Sequence, residues 1–549
     1  MRIALPLAPV PLAVLCAVWL LPGLVGHDPW KSDDAIGIGV AHQFASHGDW
    51  LLPRLAGEHF SAEGPLFYWI AAAFAKASSW LMSAHDAARL AGGACIALAL
   101  VFLRLAGHAF AAGDNYDHDS RRHDSHTRGD NAVLVFVGSL GLLLHAHETI
   151  SATALLAGLA CAYYGAALVP KRPAAAGIAL GCGLGAAFLA TGIAPLLPLF
   201  AALALTPLFV RDWRSRNSAL AMACALAALA PWLALWPALL YARSPELFAA
   251  WMQKANLSVL DQGWSAASAG YGLQTLAWFA WPGWPLALWA LWLNRRKPAS
   301  PTIVLPLAAL AAGLAMACMV REQKELPLLP LLLPIALLAG QVVGELRRGA
   351  ANLLAWFGAM TFSLLGALLW LGYFAFQTGH PSRVAANAVR LEPGFAAQFA
   401  WLPLLAAIAM TLAWIALMLK SERSAYRGAT FWAAGLALFW GLAMLLWLQW
   451  IDYGKTYRPV VQALQAHLPK QHGCIASRGL GEAQRAVFDY HGGIVTQRIE
   501  IGARRDCRLM LVQDNARAPE DIPGAQWKKL WEGNRPGDRS EKYRLYSKQ

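Results

Sequence analysis

The chain has 549 residues, 58% of them apolar and only 14% charged, with a formal net charge of +13. That composition excludes both a soluble domain and a disordered chain, and it sets the class as a polytopic α-helical membrane protein. The positive excess is accounted for by membrane topology and contact with anionic lipid headgroups, so no nucleic-acid partner is inferred.

Apolar stretches near the roughly 20 residues that carry a helix across a bilayer recur along the chain. About 13 spans are predicted, at approximately 3–26, 89–112, 132–148, 151–169, 174–190, 191–210, 218–241, 269–293, 301–320, 326–346, 351–376, 400–420 and 429–451. The third and fourth, and the fifth and sixth, are joined so tightly that each pair must be a hairpin. Although Arg2 precedes the first, it is too long for a signal peptide and no small-x-small cleavage site precedes His27, so it reads as a retained anchor.

Lys and Arg in the short loops set the orientation. With the N-terminus cytoplasmic, the inner loops carry Lys171 and Arg172, Arg211, Arg214 and Arg216, Arg295, Arg296 and Lys297, Arg347 and Arg348, and Lys420, Arg423 and Arg427. An odd number of spans then puts the polar segment after the first span and the C-terminal tail on the same outer side. The stretch from Asp114 to Asp130 falls inside. Its acids, with His118, His123 and His126, lack fixed ligand spacing and read as a flexible solvated linker rather than a metal tract.

After Trp450 the composition turns polar for about 98 residues, enough for one small domain. The expected domains are therefore 1–451, membrane-embedded with an external loop at 27–88, and 452–549, a small α/β unit. In the tail TYRPVVQALQAHL and EAQRAVFDYHG have helical periodicity, while GCIASRGL, CRLMLVQD and KYRLYS read as strands. Gly479-Leu480-Gly481 reads as a plain turn. Six of eight cysteines lie in predicted spans. The other two, Cys474 and Cys507, form a disulfide only if the tail faces an oxidising compartment and the fold brings them together.

The segment between the first two spans carries the chemistry. Asp33-Asp34 opens an amphipathic stretch, Gly48-Asp49-Trp50 follows, and then come Pro53, Gly57, Pro65, Leu66, Tyr68 and Trp69. This order resembles the first external loop of the GT-C glycosyltransferases that use polyprenyl-phosphate sugars, above all the aminoarabinose lipid A transferase and protein mannosyltransferase-like group. Arg321 to Pro334, REQKELPLLPLLLP, is similar to that group's basic residue and Leu-Leu-Pro run. The resemblance implies a bacterial inner-membrane enzyme with a periplasmic tail domain. Its donor would be an undecaprenyl-phosphate-linked sugar and its acceptor lipid A, another envelope lipid or a protein. No cofactor is implied with certainty; a divalent metal is compatible, with unknown ligands. Three departures stand out: Glu63-Gly64-Pro65 where the group often has Lys-Pro-Pro, Glu148 flanked by His145 and His147 where a second external Asp is common, and Thr191-Gly192 in place of Lys-Gly.

Transfer from a polyprenyl phosphate needs a grip on the phosphate leaving group, an orienting site for the sugar and an acceptor oxygen at the anomeric carbon. Asp33, with Asp34 beside it, is the expected catalytic acid pair: a general base for a hydroxyl acceptor, or a sugar-orienting group if the acceptor is already an anionic phosphate. Lys31, Arg54, Arg89, Arg321 and Lys324 are the candidate phosphate cations, with Arg321 and Lys324 favoured by their place at a span mouth. Glu63, Tyr68 and Glu148 complete the expected substrate-binding set. Each has a plainer reading: Asp33 or Asp34 as a helix cap, Arg89 as a span end, Glu148 with its histidines as a satisfied interfacial cluster, and Trp50, Tyr68 and Trp69 as interfacial anchors. A transporter or lipid flippase is the rival class. It is disfavoured because no internal repeat is visible and the acids sit in external loops rather than at midplane.

Overall fold

The structure, a computed structural model, describes residues 3–112, 121–258, 263–296, 299–319, 324–470, 473–502, 507–517, 520, 522–538 and 540–549, without side chains at 121–126. Each predicted span contains helix, although the first, predicted at 3–26, is helical only over Pro9–Leu20, and the third, at 132–148, is broken after Val137. In chain order the helices are α1 (Pro9–Leu20), then two helices between the first two spans, α2 (Asp33–His47) and α3 (Leu66–Ala77), then α4 (Ala84–Ala111), α5 (Arg121–Val137), the single turn α6 (Leu142–His145), α7 (Ser151–Leu168), α8 (Pro173–Thr191), α9 (Leu197–Phe209) and α10 (Arg216–Arg243). After the short α11 (Pro245–Trp251) come α12 (Ala266–Phe279), α13 (Gly283–Leu293), α14 (Pro301–Ala317), α15 (Leu332–Gly340), α16 (Arg348–Thr378), the connecting α17 (Ser382–Leu391), α18 (Trp401–Lys420) and α19 (Arg427–Lys455).

Among the described residues seven helices are long and apolar enough to cross a membrane on length and composition. Several others are shortened by proline, which removes a donor and clashes with the preceding turn. The predicted span 269–293 is divided at Trp281-Pro282 into α12 and α13. The span beginning at Leu326 opens as a six-residue 3₁₀ segment carrying Pro327 and Pro330 before the nine residues of α15. At 2.0 Å and 1.5 Å rise per residue the two pieces together reach about 25 Å.

The expected alternation of loop sides agrees with which ends meet. On the side read as inner, Ile3 pairs with Lys420 and Glu422 through backbone hydrogen bonds, and Asn217 donates to the Pro170 carbonyl. One expectation fails there. Residues 121–130 belong to the first part of α5 rather than to a linker, and Asp130 is buried against Arg104 at 2.5 Å and His108 at 3.4 Å. A salt bridge to the neighbouring helix lets a polar stretch join the bundle. Residues 114–120, including His118, lie outside the described residues.

The tail is an α/β unit built on α20 (Arg458–His467) and α21 (Glu482–Gly492). With the two-residue β1 (Arg54–Leu55) and β2 (Glu58–His59) forming a hairpin in the first outer loop, its strands are β3 (Ile475–Arg478), β4 (Thr496–Arg498), β5 (Leu509–Asn515), β6 (Trp527–Gly533) and β7 (Glu541–Lys548), in the order β4-β3-β5-β7-β6. β3 pairs in parallel with β4 and β5, while β7 is antiparallel to β5 and β6. β4 and β6 were not legible as strands in sequence. Cys474 and Cys507 are disulfide-bonded with Cα atoms 5.2 Å apart. Gly479 adopts φ +75 and donates its N–H to Glu500 at 2.6 Å; an acid where a phosphate would lie confirms a turn.

Candidate active site

Asp33 and Asp34 are the first two residues of α2, and they separate chemically at once. The Asp34 carboxylate is 2% exposed and accepts from the Thr149 N–H at 2.9 Å, the Trp30 N–H at 3.1 Å and Arg89 Nη2 at 3.2 Å. Burial alone would raise its pKa. The Arg89 charge outweighs this, and with His27 and the Thr149 N–H it holds Asp34 at about 2. Arg89 has no exposed surface and also donates to the carbonyls of His27 at 3.3 Å and Leu24 at 3.5 Å and to Asp86 at 3.3 Å. Neither residue lines the adjoining cavity. Asp34 and Arg89, expected as catalytic and substrate-gripping, are instead seen paired with each other, fastening the loop after α1 to α4 and to the start of α7.

Asp33 is half-buried, makes no hydrogen bond or ion pair among the described residues, and lines a cavity of about 460 Å³. Glu63, Tyr68 and Ser151 line the same cavity, as do Thr191 at the end of α8, Lys324, and Lys254. The remaining wall is apolar, with Pro195 and Pro198 before and within α9, Met316 of α14, and Pro330 and Leu331 leading into α15. The cavity is thus built from connections that the span count puts on one side of the membrane. Inside it, Tyr68 donates its hydroxyl to Glu63. Burial raises the Glu63 pKa and the nearby Asp33 charge adds to the rise, so Glu63 keeps its proton to higher pH than a surface glutamate.

Lys254 was missed in sequence. It is the only Lys or Arg between Arg243 and Arg295, so a lone cation in an outer loop poor in positive charge was the available signal. It sits in a π-helical turn, Met252–Leu257, a deformation often found at functional positions. Thr191-Gly192 makes room for that turn. Gly192 has φ +95, and a Cβ there would lie 2.3 Å from the Ala255 carbonyl oxygen, while the Ile193 N–H donates to Asn256 Oδ1 at 3.0 Å. Glu482, first residue of α21, is a second missed member of the lining, contributed by the tail.

Other expected site residues lie elsewhere. Lys31 is paired with Glu541 of β7, and Arg54 lies on the β1–β2 hairpin outside the cavity lining. Glu148 accepts from His145 at 2.8 Å, with Glu325 3.8 Å from the same ring, so it forms an interfacial ion-pair cluster beside the cavity. Among the described residues no three His, Cys, Asp or Glu side chains come together as a metal-holding group. Arg321 lies outside the described residues. Trp50 and Trp69 line a separate apolar cavity of about 510 Å³ with Trp232 and Trp236 of α10; only Tyr68 of the three aromatics reaches Asp33's cavity.

The tail domain secures α2. A Cβ at Gly37 would fall 1.6 Å from the Thr149 carbonyl oxygen, so only glycine lets α2 lie this close to the mouth of α7. On its other side α2 is held by Gln43 donating to Asp489 of α21. Arg485 and Arg498 grip Glu58 of the hairpin at 2.7 and 2.6 Å.

No protein-family profile and no curated protein matches the sequence. Among solved structures, ArnT from Cupriavidus metallidurans bound to undecaprenyl phosphate superimposes with a TM-score of 0.66 at 16% identity, covering 98% of this chain and 97% of that one. The apo state of the same protein gives 0.65 at 16% identity over the same shares. The chain therefore shares the fold of these two ArnT structures over nearly its whole length.

Proposed function

We propose that this protein is a membrane glycosyltransferase that takes a sugar from a polyprenyl phosphate and places it on a cell-envelope acceptor at the outer face of the membrane. In a bacterial inner membrane the carrier would be undecaprenyl phosphate, the lipid bound by the structurally similar ArnT, and lipid A is the acceptor to test first. The observation that carries the reading is a single cavity shared by an unbonded carboxylate, Asp33, and two cations, Lys254 and Lys324, with an apolar wall for an isoprenoid chain.

In this reading the lysines hold the phosphate, as charge-assisted contacts suit a departing anion. The bond from the anomeric carbon to the phosphate oxygen breaks with its electron pair leaving on the phosphate, and an acceptor oxygen forms the new bond. A hydroxyl acceptor passes its proton to Asp33; a phosphate acceptor brings no such proton, and Asp33 then orients the sugar. Glu63, whose pKa burial raises, lines the same cavity as Asp33 and places a second carboxyl beside the sugar. Asp34 and Arg89 position Asp33 without touching substrate.

The test is Asp33→Asn, read by mass spectrometry of envelope lipids and glycoproteins from cells with wild type, variant or no protein. Loss of a sugar-sized mass increment in the variant, with the protein present in the membrane, is expected. Full retention of that increment removes Asp33 from the reaction. An increment on lipid A selects the lipid acceptor, and one on proteins selects O-glycosylation of protein.

A further inference from the structure

A second polar cavity, of about 550 Å³, lies where the end of α19, the segment after α17 and the tail domain meet, and it shares no lining residue with the cavity of Asp33. Its charges do not cancel. Arg535 is committed to Asp538 at 2.5 Å, is stacked 4.5 Å over Tyr457, and donates to the Lys455 carbonyl at 3.3 Å. Lys455 and Arg517 also line the cavity, yet neither has a carboxylate within ion-pair distance among the described residues. The Lys455 ammonium instead lies 4.6 Å over the Trp30 ring. Asn515 accepts the Arg517 N–H at 3.0 Å through Oδ1, which leaves its amide NH₂ to donate. Of the two acids in the lining, Asp538 is taken by Arg535, and Glu392 lies against Gly454 and Gly537.

The height of the cavity is set by its floor. Lys455 is the last residue of α19, and the neighbouring start of α18 exposes Trp401 at 70% and Phe399 at 52%, aromatic rings of the kind that mark the headgroup level. The loop is tied there by Tyr453 donating to the Pro393 carbonyl at 2.9 Å and the Gln398 N–H donating to Gln449 at 3.1 Å. Two cations with no carboxylate at ion-pair distance and an amide donor, in a cavity of headgroup size beside exposed aromatic rings, match a phosphate ester.

We propose that this junction is a binding site for a phosphate group, presented by an outer-leaflet lipid, with Lys455 and Arg517 holding its oxygens. The site is separate from the transfer chemistry and does not depend on it. Native mass spectrometry of the purified full-length protein, titrated with phosphatidylglycerol and with phosphate-free diacylglycerol, tests it against Arg517→Gln and the double variant Lys455→Gln/Arg517→Gln. The single variant alters an exposed side chain and keeps the readout independent of any folding defect. A tenfold or greater loss of phosphatidylglycerol retention in the double variant, a smaller loss in the single one and unchanged diacylglycerol retention are expected. Equilibrium dialysis with radiolabelled inorganic phosphate separates the sources: phosphate binding that depends on the same two residues without lipid dependence keeps the phosphate site and assigns it to a soluble ester. Neither probe responding to either variant overturns the proposal.

Discussion

Removing the Asp34 carboxylate isolates the effect of the buried ion pair from the chemistry of its neighbour. Asp34→Ala leaves the Arg89 guanidinium, with no exposed surface, short of its main counter-charge, and strips an acceptor from the N–H groups of Trp30 and Thr149. The depression of its pKa from 3.8 to about 2 corresponds to roughly 2–3 kcal/mol of preference for the ionised form. Orphaning the two N–H groups brings the expected loss to about 3–5 kcal/mol, the usual cost of breaking a buried pair. Asp86, 3.3 Å from Arg89, keeps the figure from rising further. Thermal unfolding of the detergent-solubilised protein, followed by tryptophan fluorescence, should show a melting temperature lower by ~5 °C or more. Adding Arg89→Met should recover part of the loss, because an apolar replacement of the whole pair no longer leaves a buried charge. For the wild type the pH dependence has a definite sign. A depressed carboxyl pKa gives stability that is complete above pH ~4 and is lost as pH falls through ~2. A variant Asp34→Ala that melts within ~1 °C of wild type would refute the account of this pair.

The partner residue should behave in the opposite way: Asp33→Asn should melt within ~1 °C of wild type while sugar transfer falls by roughly 10²–10⁴-fold if Asp33 is the base for a hydroxyl acceptor. Lys254→Gln and Lys324→Gln should each weaken binding of the polyprenyl phosphate by roughly tenfold or more, measured by competition in a transfer assay. Because the Glu63 pKa is raised, activity that uses its proton should decline as pH rises through that pKa. Glu63→Gln, with a permanent N–H donor, should flatten that alkaline decline, whereas Glu63→Ala should lower activity at every pH. Replacing Cys474 and Cys507 by Ser opens a loop closed across 33 residues and should destabilise the tail by about 3 kcal/mol, seen as faster limited proteolysis after residue 455 than in the intact bundle.

Much of this architecture was legible because the forces that write it act locally. A bilayer offers backbone groups no partner, so membrane-crossing segments read as apolar runs; the thirteen predicted runs fall on helix, seven of them on helices long and apolar enough to cross. The tail helices over TYRPVVQALQAHL and EAQRAVFDYHG, and three of its five strands, followed from periodicity for the same reason. β4 is three residues long and β6 is mostly exposed, so neither has a periodic apolar face to detect. The start of α5 was hidden because Asp130 looks solvated until Arg104 and His108 of the preceding helix meet it.

For the candidate site, the sequence by itself determined the acidic loop, its resemblance to GT-C enzymes, and the sidedness that puts Asp33 and Lys324 at one face. It did so through spacing and loop charge, which are properties of a one-dimensional string. Only the tertiary structure decided which of two adjacent carboxylates is free. Asp33 and Asp34 are identical in type and neighbours in the chain, but successive residues of a helix point about 100° apart, and one direction leads to Arg89 while the other opens into the cavity. It also decided that Lys254 and Glu482, which lie in a distant loop and in the tail, join that cavity: contacts between segments far apart in the chain leave no local pattern to read.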